Sequence, residues 1–251
     1  MTDARGPAAG HTPALLVLED GTTFHGESYG AEGETFGEAV FVTAMGGYQE
    51  TLTDPSYRRQ VVVQTFPHIG NTGWTDEDDE SDRIWVAGYV VRDASRVSSN
   101  WRSRGSLADA LVNQNVVGIQ GVDTRALTRR LRDEGAMRVG ISTIEADPDA
   151  LLARVRQQPP MRGANLVAEV TAPAAYVIEA HGQKRFTVAV VDLGIKSMTP
   201  YRMAERGCEV HVLPASTTLG GIQALKPDAV FFSNGPGDPA ASHQAIDLLT
   251  E

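Results

Sequence analysis

Apolar positions fall in short blocks along the first half of the chain, separated by turn formers, and this pattern predicts strands. Residues 15–18 and 22–26 flank Asp20-Gly21, a two-strand hairpin signal. Residues 39–43 and 61–65 are β-branched runs bounded by turn residues, and 84–91 is a further apolar run. Helical spacing then takes over. Residues 107–113 form a short candidate helix, and 123–134 a longer one. In the longer helix Asp123 is placed to cap the N-terminus, Leu127 and Leu131 share a face, and Gly135 sits where a helix ends. Asp147-Pro148 opens another helix that runs to Gln157 and is stopped by Pro159-Pro160.

Residues 172–185 are polar, contain Pro173 and Gly182, and show no period, which predicts a boundary. Beyond it the pattern changes. A continuous apolar strand (187–191), a helix (198–206), a strand (209–213), a helix (219–225) and a strand (229–232) read as βαβαβ, with a last helix from about residue 240. The expected organisation is a frayed tail (1–13), an N-terminal mixed β/α domain (14–172), a linker (173–185) and the start of a parallel-sheet α/β domain (186–251). The second domain is short, and its three parallel strands leave an edge that is normally covered.

Composition is that of a globular protein. The net charge of −10 argues against a nucleic-acid partner and is read as solubility. A single cysteine excludes an intrachain disulfide and fits a reducing, cytoplasmic setting. Apolar runs such as 14–18 and 188–191 are too short to span a membrane, and residues 1–13 lack the apolar core of a secretory signal.

The sharpest motif is Ser233-Asn234-Gly235-Pro236-Gly237-Asp238-Pro239, between a predicted strand and a predicted helix. In an open parallel sheet, ligands bind beyond the carboxyl ends of strands, and glycines there permit close backbone approach. From spacing alone, a tight turn without ligand reads equally well. Ser56, within Asp54-Pro55-Ser56-Tyr57, offers a hydroxyl that donates and accepts, although a hydrogen-bonded turn is the simpler reading. His68 has no carboxylate or nucleophile beside it in sequence and reads as a loop histidine. The acidic run 76–82 lacks calcium-loop spacing, and no metal is expected. Arg125, Arg129, Arg130 and Arg132 read as a solvated or partner-facing helix surface, with anion binding as the alternative. Cys208, just after Gly207 at the start of a strand, is at the wrong end of the sheet for a nucleophile and reads as packing.

Together, ALLVLEDGTTFHG (14–26), MGGYQETLTDPSYRRQVVVQTFPHIGN (45–71), DTRALTRRLRDEG (123–135) and FFSNGPGDP (231–239) resemble the small subunit of carbamoyl-phosphate synthase. The last of these stretches is shared more widely among glutamine amidotransferases. Gly46 and Phe66 depart from the Thr and Tyr frequent in the family. The resemblance implies a glutaminase subunit that passes ammonia to a large subunit, which joins it to bicarbonate using ATP and Mg to make carbamoyl phosphate for arginine and pyrimidine synthesis. It implies glutamine contacts from Ser56, Gly235 and Gly237, no cofactor in this chain, and no membrane. The family's chemistry uses a cysteine nucleophile in a Gly-x-Cys-x-Gly turn with His and Glu partners. None of these is found here, so no catalytic residue is assigned. The expectation is a truncated glutaminase subunit, with a non-catalytic partner of the large subunit as the alternative and an unrelated flavodoxin-like binding module as a third reading.

Overall fold

The computed structural model describes residues 12–251, and the chain divides into two compact units. The frayed tail predicted over 1–13 lies, up to residue 11, outside the described residues. The first unit holds the described residues up to Thr53, with Arg59–Asp79 and Arg83–Pro160. The second holds Met161–Glu251 and two short excursions, Asp54–Arg58 and Glu80–Asp82.

In the first unit, β1 (Pro13–Leu18), β2 (Thr23–Ser28), β3 (Glu34–Val42), β4 (Gln60–Gln64), β6 (Gly88–Val90), β8 (Val117–Gln120) and β9 (Met137–Ser142) close into a barrel of order β1-β2-β8-β6-β4-β3-β9. A separate small ladder pairs β5 (His68–Ile69) with β7 (Asp93–Ala94). The helices are α1 (Tyr48–Thr53), α2 (Leu107–Asn113), α3 (Thr124–Glu134) and α4 (Pro148–Gln157). Closure removes the edges that short strands would otherwise expose.

The pattern of β1 follows from this closure. Ala14, Leu16 and Leu18 join Val61, Val63, Val90, Ile119, Val139 and Ile141 in one cluster, to which α3 adds Leu127 and Leu131. The alternate residues Leu15 and Val17 pack on Leu151 of α4. A strand covered on both faces has to be apolar throughout, and β1 is. The hairpin at Asp20-Gly21 forms as predicted: Leu18 N–H donates to Thr22 O (2.9 Å), and Gly21 takes φ +92°. The apolar run 84–91 does not form one strand. Only Gly88–Val90 forms a strand, while Ile84 and Trp85 are buried in irregular backbone and Val86 is an isolated bridge residue, with Trp85 N–H on Leu52 O. Its hydrophobicity reflects burial, which periodicity alone cannot separate from pairing.

The second unit contains α5 (Val167–Val170), β10 (Tyr176–Ile178), β11 (Phe186–Asp192), α6 (Met198–Ala204), β12 (Cys208–Pro214), α7 (Leu219–Ala224), β13 (Ala229–Phe232) and α8 (His243–Thr250). Its sheet runs β10-β12-β11-β13, with β12, β11 and β13 parallel and β10 antiparallel on β12. Side chains of β11 alternate between two clusters. Val188 and Val190 meet Val210, Val212 and Met203 on one face, and Ala189 and Val191 meet Ile222 and Leu248 on the other. Helices lie on both faces of this parallel sheet, as expected from the βαβαβ reading, although the edge strand β13 stays largely exposed. The predicted linker 173–185 holds β10, a fourth strand. It is short and its residues are half or fully exposed, so it leaves no alternation to detect.

Candidate functional site

The site lies in the second unit, where β11 and β13 run side by side and end together. Ser233 N–H continues the ladder onto Val191 O, and the Ser233 hydroxyl accepts from Leu193 N–H (2.9 Å). These bonds join the two loops that leave the sheet at its carboxyl end. Asp192, buried at 4% exposure, organises the loop after β11. Its Oδ1 accepts from Gly194 N–H and Ile195 N–H (both 2.8 Å), and its Oδ2 from Ala172 N–H (2.8 Å). A carboxylate with three backbone donors is satisfied in place and braces the loop.

The loop 233–238 owes its glycines to packing. A Cβ on Gly235 would overlap the Leu193 carbonyl oxygen. Gly237 takes φ +87°, and a Cβ there would lie 2.5 Å from Ala164 O. Asp238 closes the loop by accepting from Gly163 N–H (2.8 Å) and Ala240 N–H (3.0 Å). Those backbone donors hold its carboxyl below the usual carboxylate range.

Ser56 meets this loop although it is far away in sequence. Asp54 caps the short 3-10 turn Pro55–Tyr57 by accepting from Ser56 N–H (2.9 Å). The turn belongs to the second unit, not to the barrel whose sequence surrounds it. Asn234 Nδ2 donates to Ser56 Oγ (2.7 Å) and to Gly194 O (3.2 Å). A backbone carbonyl can only accept, so this nitrogen is the donor in both bonds, and Ser56 Oγ is the acceptor. The Ser56 hydroxyl proton therefore remains available to a ligand.

Beneath Ser56, the Asp54 carboxylate, 4% exposed, pairs with Lys196 Nζ at 2.7 Å. Burial works against the Lys196 charge, but the bond to Asp54 and the nearby Glu80 carboxylate outweigh it, so its pKa is raised. Arg58 Nε ties the far end of the turn to Glu169 (2.7 Å). Burial and the Asp54 charge push the Tyr57 phenol up.

Ser56, Gly235 and Gly237 thus fall in one place, in a single compact unit. Asn234 and Asp54 lie within the two motifs singled out in the sequence, but the bonds they make there were not expected, nor were Lys196 and the 192–195 loop. Asp192-Leu193-Gly194 does follow an apolar parallel strand, which is a usable signal. The Asp54–Lys196 and Ser56–Asn234 pairs have no local signature.

The other candidates lie elsewhere. Cys208 opens β12 beside Phe186, at the end of the sheet away from the loops, and packs on the Val188–Val210 cluster. His68 has a carboxylate after all, because pairing of β5 with β7 brings Asp93 Oδ2 to 3.1 Å from its Nδ1; the contact is exposed, and His68 sits in this short ladder and not in the loop expected from the sequence. The acidic run is engaged by basic partners, Asp78 with Arg102 (2.9 Å) and Asp76 with Arg104 (3.1 Å). Among the described residues no group of His, Cys, Asp or Glu is arranged to hold a metal ion, and no helix is long and apolar enough to cross a membrane.

A doubly covered parallel sheet with a braced Gly-Pro-Gly loop at its carboxyl edge defines a class, and residues 189–251 match the family model for class-I glutamine amidotransferases. Residues 16–141 match the model for the carbamoyl-phosphate synthase small chain, CPSase domain. The carbamoyl phosphate synthase small chain of Streptomyces avermitilis is 65% identical over 252 residues, covering 100% of this chain and 66% of the relative. That of Streptomyces coelicolor is 64% identical over 250 residues (99% and 65%), and that of Mycobacterium tuberculosis 56% over 245 (95% and 65%). The chain belongs to the carbamoyl-phosphate synthase small chain family, and it spans about 65% of the length of the curated relatives it matches.

Proposed function

We propose that this chain supplies the glutamine-binding part of a glutamine-hydrolysing carbamoyl-phosphate synthase. The observation that carries this reading is the Asn234–Ser56 hydrogen bond of 2.7 Å, which seats a hydroxyl with a free proton on the glycine loop at the carboxyl end of the sheet. Ser56 donates to an oxygen of glutamine, and the backbones of Gly235 and Gly237 line the rest of the site. Ammonia released by the assembled glutaminase passes to a large-subunit partner in the cytoplasm. That partner uses ATP and Mg to join ammonia with bicarbonate, for arginine and pyrimidine synthesis. Hydrolysis itself requires a thiolate attacking the side-chain amide carbon, with a base to manage the proton. Cys208, at the other end of the sheet, does not meet that geometry, so the chain alone binds glutamine without cleaving it.

The test is calorimetric titration of the chain with glutamine. Ser56→Ala is expected to weaken binding by about tenfold, the value of one hydrogen bond of roughly 1–1.5 kcal/mol. Equal affinity in the two proteins sinks the assignment of Ser56. The alternative, a non-catalytic partner of the large subunit, draws on the placement of Cys208; it predicts co-purification with the large chain and no glutamine binding.

A further inference from the structure

Helix α3 carries basic side chains on two faces with different surroundings. Arg130 turns to the β1–β2 hairpin and holds Asp20, Nη2 to Oδ2 at 2.6 Å. Arg125, Arg129 and Arg132 follow one another at i, i+4 and i+7, and with Thr65 and Thr128 they line an open hollow of about 380 Å³. Neither Arg125 nor Arg129 has a carboxylate partner among the described residues, and Arg132 pairs only with the adjacent, exposed Asp133 (2.8 Å). This occurs on a chain of net charge −10, where carboxylates are abundant and yet none lines the hollow.

The arrangement does nothing for the helix. Like charges at i, i+4 cost a few tenths of a kcal/mol each, about 0.2–0.5. Every group facing the hollow can donate. The guanidinium forks present paired N–H groups matched to oxyanions. Thr65 Oγ1 and Thr128 Oγ1 lie 2.8 Å apart, and since a single proton serves that bond, the second hydroxyl proton is left to donate elsewhere. A ligand satisfying such a site is all acceptor, carries at least two negative charges, and is small. We propose that the hollow formed by Arg125, Arg129, Arg132, Thr65 and Thr128 binds a small molecule through a phosphate group.

The test is titration of the whole chain with pyrophosphate and, separately, inorganic phosphate, at ionic strength held constant with KCl. The expected result is saturable one-to-one binding, weakened at least about tenfold in Arg125→Gln/Arg129→Gln. It should stay within about twofold in Arg130→Gln, which removes one positive charge from the other face, and each single variant, Arg125→Gln or Arg129→Gln, removing one charge from the hollow, should weaken it more than that. Tighter binding of pyrophosphate than phosphate supports an extended phosphate compound, and equal binding supports the free ion. Both substituted arginines are exposed and have no bonded partner among the described residues, so the double variant is expected to keep its thermal midpoint, which is measured alongside. Binding that does not saturate, that vanishes on salt matching, or that persists undiminished in the double variant overturns the proposal. So does capture of an acidic peptide in place of pyrophosphate.

Discussion

At the level of single residues, the site is held by two devices that substitution separates. The first is the contact of Gly235 with the Leu193 carbonyl. Gly235→Ala puts a methyl group where that oxygen sits, and backbone rather than a flexible side chain must move. We expect a loss of about 1–3 kcal/mol in denaturant unfolding, the range for overpacking a close contact. Glutamine binding should weaken as well, because the displaced loop carries Asn234 away from Ser56. The second device is the Asp54–Lys196 pair. Lys196→Met leaves a buried carboxylate unpaired. Breaking a fully buried pair costs about 3–5 kcal/mol, but the Lys196 side chain is 39% exposed, so we expect roughly 1–3. The raised pKa of Lys196 sets the sign of the pH dependence. Its contribution is complete below the ordinary value of 10.5 and is lost as pH rises through the higher folded value. Stability followed by urea unfolding from neutral to strongly alkaline pH should fall on this limb in the natural chain and lose that component in Lys196→Met. Of these residues, Ser56 and the glycines stood out in the sequence as a turn and a strand-end loop, features that are local, but the spacing read equally well as turns without a ligand and only the family resemblance tied them to glutamine. The bond between Ser56 and Asn234 spans 178 positions, and no local pattern encodes it.

At the level of elements, legibility follows burial on two faces and defined ends. β1 and β11 read directly because both of their faces are covered. α3 reads from its cap, its Leu127–Leu131 face and Gly135, and the structure uses each: Asp123 accepts from Ala126 N–H (2.9 Å), and Gly135 N–H donates to Leu131 O. β8, β9 and β10 did not read. β8 has four residues, β9 is interrupted by Gly140 against Phe36, and β10 is largely exposed. Barrel closure was illegible for the same reason, since it depends on β8 and β9 pairing with strands far along the chain. The α3 cap gives a direct test. Asp123→Ala removes one acceptor from the first turn and should cost about 1 kcal/mol in thermal or denaturant unfolding. A change below about 0.3 kcal/mol would show that packing of Leu127 and Leu131 holds the helix without its cap.

For the molecule as a whole, the question is whether a chain with this sheet and this loop turns glutamine over. Thioester chemistry needs a thiolate at the carboxyl ends of the strands, within reach of a base. The sequence contains one cysteine, and the fold puts it at the first residue of β12, opposite Phe186, packed on Val188 and Val210. It starts a strand just after the end of α6 and does not face a helix N-terminus. Ser56 is no substitute, since no histidine among the described residues bonds to its hydroxyl and its oxygen is occupied by Asn234. The purified chain is therefore expected to release no ammonia from glutamine above the uncatalysed rate, while still binding it. Cys208→Ser should change neither result and should cost only the small packing loss of a half-buried thiol. Coupled detection of ammonia, run beside the glutamine titration, decides the point. Turnover abolished by Cys208→Ser would place the nucleophile at the end of the sheet that this structure gives to packing. Turnover unaffected by that change would require a nucleophile other than a thiol.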